Sequence, residues 1–237
     1  MKILNVLNMK RIVFPFLVML MLGMSGCMKP VDNIQDFVYV PAFVDFSFTP
    51  VFGNVLRTPY GLVVSNEIIN ADDLMGGEAV LTSFTVNHDK QTSTEFTFAY
   101  NLGYVIINRG TAQATPGGAS TGDFDLPIEN VELFGWVGYN LFFGFFHNDK
   151  DATKDDKFFY EMTYESGEPI VYIRARKGGT GVPACSFNML SFFTTLPKDD
   201  NNKVRFKIKF KTGEDEEGDQ YGSFNLGNDV VFEIGEY

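Results

Sequence analysis

Few side chains in this 237-residue chain carry the chemistry of catalysis or metal binding. It has two histidines, His88 and His147, and two cysteines, Cys27 and Cys185. Zinc sites usually need three or four His, Cys or carboxylate ligands, and a nucleophilic cysteine needs a base beside it. Both histidines are predicted at exposed turns, and Cys185 lies in an apolar, β-like run that suits a buried small side chain. The sequence therefore predicts no metal, no cofactor and no catalytic residue.

Two acidic segments, residues 148–157 and residues 214–219, offer oxygen ligands for a cation. An EF-hand starting at Asp149 would need glycine at its sixth position and glutamate at its twelfth. Those positions hold Lys154 and Tyr160, and lysines interrupt the first segment. Solvated, charged loops are therefore predicted, with an adventitious Ca²⁺ site as the alternative for the first segment. The carboxylates available for such a site in residues 148–157 are those of Asp149, Asp151, Asp155 and Asp156.

One cysteine has a sequence context that predicts a modification. Lys2, Lys10 and Arg11 precede an apolar run that ends in Met24-Ser25-Gly26-Cys27. A basic start, a short apolar region and small residues before the cleavage point are typical of a secretory signal, and a membrane-spanning helix would need about 20 apolar residues. The ending resembles a lipobox, so we expect cleavage after residue 26 and lipid on Cys27. This predicts attachment to the bacterial outer membrane, on either its periplasmic or its outer face.

The charge balance restricts the partners. Residues 1–26 contain three of the 19 basic residues and none of the 30 acidic ones, so the 211 residues that follow carry a net charge near −14. Nucleic-acid binding is disfavoured because phosphate contacts need a basic surface. An acidic protein is also repelled by anionic membranes, so membrane attachment would depend on the lipid of Cys27.

The rest of the chain is typical of an all-β fold. It has 25 Phe and ten Tyr residues, often at alternate positions, which favours half-buried strands. After a tether over residues 27–36, about five strands in residues 37–109 predict a small, OB-like barrel. The small and polar residues of 110–123 predict a linker. Six or so strands in residues 124–237 then predict an antiparallel β-sandwich.

Two aromatic residues are candidates for ligand binding. Trp136, the one tryptophan, and Tyr139 lie in a glycine-containing segment, Phe134-Gly135-Trp136-Val137-Gly138-Tyr139. Glycines beside an aromatic ring leave its face open for stacking on a sugar. The alternative is that Trp136 packs in the core, because tryptophan buries a large apolar area.

The chain resembles the NigD-like lipoproteins of Gram-negative anaerobes. The similar segments are residues 53–61 (GNVLRTPYG), residues 74–78 (LMGGE), residues 139–145 (YNLFFGF) and residues 172–177 (YIRARK). The resemblance implies an N-terminal OB-like domain, a C-terminal β-sandwich and a link by name to bacteriocin immunity, with no catalytic residue to carry over.

Three functions are compatible with these features. We expect a non-catalytic envelope protein with a recognition or protective role, through protein or glycan contacts. A glycan-binding accessory lipoprotein of a polysaccharide-uptake system is the alternative. A glycan hydrolase is a third and weaker hypothesis, since a pair of carboxylates far apart in sequence leaves no local pattern.

Overall fold

The structure is a computed structural model that describes residues 33–48, 51–116, 126–147, 158–165, 169–178, 183–224 and 230–232. Strands dominate these residues, so the predicted all-β fold is confirmed. No helix among them is both long and apolar enough to cross a membrane.

The first half of the described chain is a closed, five-stranded barrel with the strand order β1-β2-β3-β5-β4, which confirms the small barrel expected from the sequence. Alternate residues of its strands, such as Val40, Ala42 and Val44, fill the interior. A short helix contributes Ile68 to the same core. The elements are β1 (Ile34–Ser47), β2 (Gly53–Thr58), β3 (Gly61–Val64), α1 (Asn66–Ile69), β4 (Ala79–Asn87), a 3-10 helix (His88–Lys90) and β5 (Phe96–Ile106).

The second half is a nine-stranded sheet with the order β13-β12-β10-β9-β6-β11-β8-β7, in which β14 also pairs with β12. A one-turn helix, α2, follows β11 and buries Phe192 and Phe193. The elements are β6 (Asn108–Pro116), β7 (Ile128–Val137), β8 (Asn140–His147), β9 (Phe158–Glu165), β10 (Ile170–Lys177), β11 (Ala184–Asn188), α2 (Leu190–Thr195), β12 (Val204–Asp215), β13 (Gly218–Ser223) and β14 (Val230–Phe232).

This sheet curls around its own core. Val131 of β7, near one end of the strand order, shares a hydrophobic cluster with Phe206 of β12, near the other end. The predicted second half was an antiparallel sandwich, but the described strands form one sheet in which β6–β9, β6–β11 and β10–β12 are parallel. Residue periodicity reveals which side of a strand is buried but not which strand is its neighbour, so the parallel pairings left no signal.

Part of the predicted linker is a strand. Residues 110–116 belong to β6, which lies between β9 and β11. Residues 117–123 lie outside the described residues. The tether predicted over residues 27–36 is also partly a strand, because residues 34–36 pair with β4 as part of β1. Cys27 lies outside the described residues.

Candidate functional site

The barrel and the sheet meet through a hydrophobic cluster, here called the junction core. Phe43 of β1 packs edge-on against Phe142 of β8, with ring centroids 5.3 Å apart. Phe142 is fully buried although it points away from the sheet's own core, so the barrel covers this outer face of the sheet. The junction core consists of Phe43, Ala79, Leu81, Ile107, Phe134, Val137, Phe142 and Ala184.

A cavity of about 670 Å³, here called the junction cavity, opens beside this core. Its volume is in the range typical of small-molecule sites, which are concave and mostly apolar. Its rim carries exposed apolar side chains, with Tyr39 65%, Phe146 51% and Val105 48% accessible. Barrel residues Tyr39, Leu81, Ser83, Gly103, Tyr104 and Val105 line one side, and sheet residues Glu132, Phe134, Gly144, Phe145, Phe146, Pro183 and Ala184 line the other.

An irregularity in β1 positions Tyr39 at the rim. The register between β1 and β4 shifts between Phe37 and Val40, and Tyr39 has φ 52°, in the left-handed region that non-glycine residues rarely adopt. Its backbone N–H donates to the Ser83 hydroxyl oxygen at 3.3 Å. A β-bulge redirects a side chain from the face that regular alternation along the strand would give it. Residues with strained backbone conformations concentrate at functional sites. The bulge places the Tyr39 ring beside Phe134 of the sheet, with the two ring centroids 6.0 Å apart.

A second irregularity positions Phe134. The register between β7 and β8 shifts between Leu133 and Gly135. The Phe134 ring then lies directly over Gly144, where a Cβ atom would come within 2.7 Å of it. Two aromatic rings, one from the barrel and one from the sheet, are thus held at the cavity by backbone features of their own strands.

The titratable groups of the junction cavity are few. The Tyr104 hydroxyl donates to the Asp73 carboxylate at 2.6 Å, and this hydrogen bond raises the pKa of Tyr104 to about 12. Tyr104 is therefore neutral at physiological pH. Glu132 is the one carboxylate among the lining residues, and none of them is a histidine or a cysteine. This arrangement suits holding an apolar group more than transferring a proton.

The two aromatic residues predicted from the sequence lie elsewhere. Trp136 is half-buried and packs against the core of the curled sheet, and Tyr139 lies in the turn between β7 and β8. Neither residue lines the junction cavity. Their role in binding stays a prediction. The residues that sequence reasoning missed are Tyr39 and Phe134, for which the nearby Pro41 and Gly135 were signals of local irregularity.

The two histidines lie in different halves of the structure, and Cys185 lies in the same sheet as His147. His88 follows β4, and its Nε2 lies 3.1 Å from the Gln35 side-chain oxygen. His147 was expected at an exposed turn, but it is half-buried because its ring stacks on Phe158, with centroids 3.6 Å apart. Burial raises the pKa of the fully buried Cys185 thiol, which keeps it protonated.

The acidic segments are described only in part. Residues 148–157 lie outside the described residues. Residues 214–219 form the exposed tip of the β12–β13 hairpin, with residues 216 and 217 in the turn between the two strands. The buried Lys211 ammonium lies 2.9 Å from the Asp219 carboxylate. Within the described residues, no three His, Cys, Asp or Glu side chains gather as a metal site would require.

Comparison with solved structures finds a similar fold in proteins of Parabacteroides and Bacteroides. An uncharacterized protein from Parabacteroides merdae is similar over 85% of this chain and 100% of its own, with a TM-score of 0.62 and 18% identity. A protein from Bacteroides fragilis that is provisionally designated a lipoprotein matches over 85% and 100%, with a TM-score of 0.54 and 10% identity. A NigD-like immunity protein from Bacteroides caccae matches over 86% and 99%, with a TM-score of 0.43 and 12% identity. At these identities the first two likenesses define the fold.

Sequence comparison gives no corresponding result. No protein-family profile matches the chain, and a search of curated proteins also finds no match.

Proposed function

We propose that this chain is a lipid-anchored protein of the bacterial outer membrane that binds a partner without transforming it, in a protective, immunity-like role. The signal-like N-terminus that ends at Cys27 supports the anchor. The lipoprotein designation of the Bacteroides fragilis protein, which shares the fold, is consistent with it.

The observation that carries the binding role is the junction cavity. It is preformed, it takes residues from both halves of the chain, and Tyr39 and Phe134 are held at it by irregular backbone. A general acid or base would need a group with a pKa near the working pH beside the ligand. The titratable groups of the lining are Glu132, Tyr39 and a Tyr104 whose pKa is raised, and this favours binding over catalysis.

The lining also favours one class of ligand. Most of its residues are apolar, and the hydroxyl groups of Ser83 and Tyr104 already take part in hydrogen bonds within the protein. A saccharide in this cavity would leave many hydroxyl groups without partners, at a cost of about 1–3 kcal/mol each. An aromatic or aliphatic side chain of a peptide has no hydrogen bonds to lose on entering this cavity. We therefore favour a peptide or protein partner over the glycan partner of a polysaccharide-uptake system.

Filling the cavity tests this function. Gly103 lines the cavity, and a Cβ atom there meets no other atom within 4 Å, so Gly103→Leu places a side chain in open space. We expect the variant to bind the uncharged apolar dye Nile red at least about tenfold more weakly, which corresponds to about 1.4 kcal/mol. The measurement is a fluorescence titration of residues 28–237, which include every described residue.

Gly213→Leu is the matched control, because Gly213 also has open space at its Cβ but lies in β12, away from the cavity. Equal dye affinity in both variants would contradict the proposal. Loss of binding to an array of neutral glycans in Gly103→Leu alone would instead favour the glycan-binding alternative.

A further inference from the structure

A second cavity, of about 370 Å³, lies between the barrel and the sheet, and it shares no lining residue with the junction cavity. We call it the cationic pocket, because Arg57 of the barrel and Arg109 of the sheet both line it. Asn140, Ser186 and Asn188 complete its polar lining, and no carboxylate is among its lining residues. The positive charge of this pocket contrasts with the net charge of −11 of the whole chain.

Strand register brings the sheet residues of the pocket together. Arg109 of β6 lies opposite Ser186 of β11, and Asn140 of β8 lies opposite Asn188 of β11. Paired residues on neighbouring strands project from the same face of a sheet. Cys185 and Phe187, which alternate with Ser186, project from the other face into the core of the sheet. The polar face is therefore a consequence of the same alternation that builds the core.

Both arginines neighbour Phe43, which also lines the pocket. Arg57 lies opposite Phe43 in the register of β1 and β2, and the Arg109 guanidinium carbon is 5.3 Å from the centroid of the Phe43 ring. Nη2 of Arg57 donates to the Asp45 carboxylate at 2.7 Å, and Nη2 of Arg109 donates to the Gly77 carbonyl. Each guanidinium has five N–H groups, so these contacts fix its orientation and leave donors for a ligand.

The neutral side chains of the pocket add further donors. Ser186 is only 3% exposed and lines the pocket, so its hydroxyl can donate to or accept from a group bound there. Oδ1 of Asn188 accepts from the Leu190 backbone N–H at 3.0 Å, so its amide NH₂ group remains available to donate.

We propose that the cationic pocket binds an oxyanion, either the carboxylate of a peptide or small acid or a free phosphate or sulfate. The guanidinium fork matches the geometry of these groups, and charge-assisted hydrogen bonds are about twice as strong as neutral ones. Asp45 neutralises part of the Arg57 charge, so Arg109 is the principal ligand and Ser186 completes the site. This proposal does not depend on the junction cavity.

Titration of simple anions tests the proposal on the chain from residue 28 onward. The probes are acetate and N-acetylglycine for the carboxylate source, and inorganic phosphate and sulfate for the other, with sodium chloride keeping the ionic strength constant. Binding is followed by nuclear magnetic resonance of the arginine and asparagine side-chain N–H groups. We expect saturable binding of at least one probe, and the stronger class identifies the source.

Variants of the pocket make the outcome specific. We expect Arg109→Gln to weaken binding at least about tenfold and Ser186→Ala about threefold, whereas Asp45→Asn strengthens it because Arg57 loses its competing carboxylate. Arg205→Gln is the matched control, since Arg205 is an exposed arginine that pairs with Asp199 at 3.4 Å and does not line the pocket. No saturable binding of any probe, or equal affinity in Arg109→Gln and Arg205→Gln, overturns the proposal. Arg57→Gln gives a second test if Arg109→Gln fails to fold.

Discussion

At the scale of single residues, Tyr39 shows most clearly how local strain serves the site. A tyrosine with φ 52° is unfavourable by about 1–3 kcal/mol, and the surrounding structure must compensate for that cost. Here the Ser83 hydroxyl accepts the Tyr39 backbone N–H, and the pairing of β1 with β4 resumes at once with Val40. The result is an exposed aromatic ring that faces Phe134 at the junction cavity instead of continuing the alternation of β1.

Cys185 leads to a prediction at the same scale. Its thiol is fully buried among core side chains, and desolvation raises its pKa. In a Cys27→Ser chain, we expect Cys185 to react with a disulfide reagent at pH 8 at least about 100-fold more slowly than a cysteine peptide, because the thiolate is the reactive form. Reaction in 6 M guanidinium chloride is the control and should be complete. Fast reaction of the native protein would show that the thiol is accessible and activated.

At the scale of the elements, β6 explains why a segment of small residues is not a linker. Gly110 faces the core of the sheet, and a Cβ atom at this position would lie 2.2 Å from the Phe187 ring and 2.7 Å from the Cys185 sulfur. Glycine is therefore required at this position, where β6 runs beside β11. Composition alone cannot distinguish a segment that is small because it is solvated from one that is small because its neighbours are large.

Gly110→Ala tests this explanation. Inserting a methyl group into a well-packed core costs about 1–3 kcal/mol, and we expect that loss in the free energy of unfolding measured by urea titration. Gly103→Ala is the matched control, because Gly103 also lies in a strand but has open space at its Cβ, so its effect should stay within about 1 kcal/mol. Similar stabilities of the two variants would contradict the packing role of Gly110.

At the scale of the whole molecule, the barrel and the sheet share a hydrophobic core, and both candidate sites lie between them. Ile106 ends β5 and Asn108 begins β6, so a single residue, Ile107, separates the two halves and is itself part of the junction core. Both the junction cavity and the cationic pocket take residues from each half. Membrane attachment, by contrast, would depend on Cys27, because the net charge of the chain is strongly negative.

Replacing Cys27 tests the anchor. In the expressed full-length chain, we expect Cys27→Ser to block processing or to release the protein from the membrane fraction, because acyl chains would supply the attachment. The measurements are gel mobility, detergent partitioning and cell fractionation. Ser25→Ala, which keeps a small residue before the cysteine, is the control and should remain membrane-bound. Unchanged mobility and fractionation of Cys27→Ser would rule out lipid attachment at this residue.

The sequence by itself determined the all-β class and the small barrel, because these depend on residue alternation and on turns between neighbours in the chain. Other elements were only partly predictable. The pairing of β7 with β8 and the helix α2 after β11 depend on packing against the rest of the sheet.

Only the tertiary structure decided where the candidate sites lie. Tyr39 and Phe134 are 95 positions apart, and Arg57 and Arg109 belong to different halves of the chain, so no local pattern connects them. The apolar face of β8 that contains Phe142 could equally have faced solvent, another chain or the barrel. The junction core settles that choice, and both cavities form where two curved β-surfaces meet without filling the space between them.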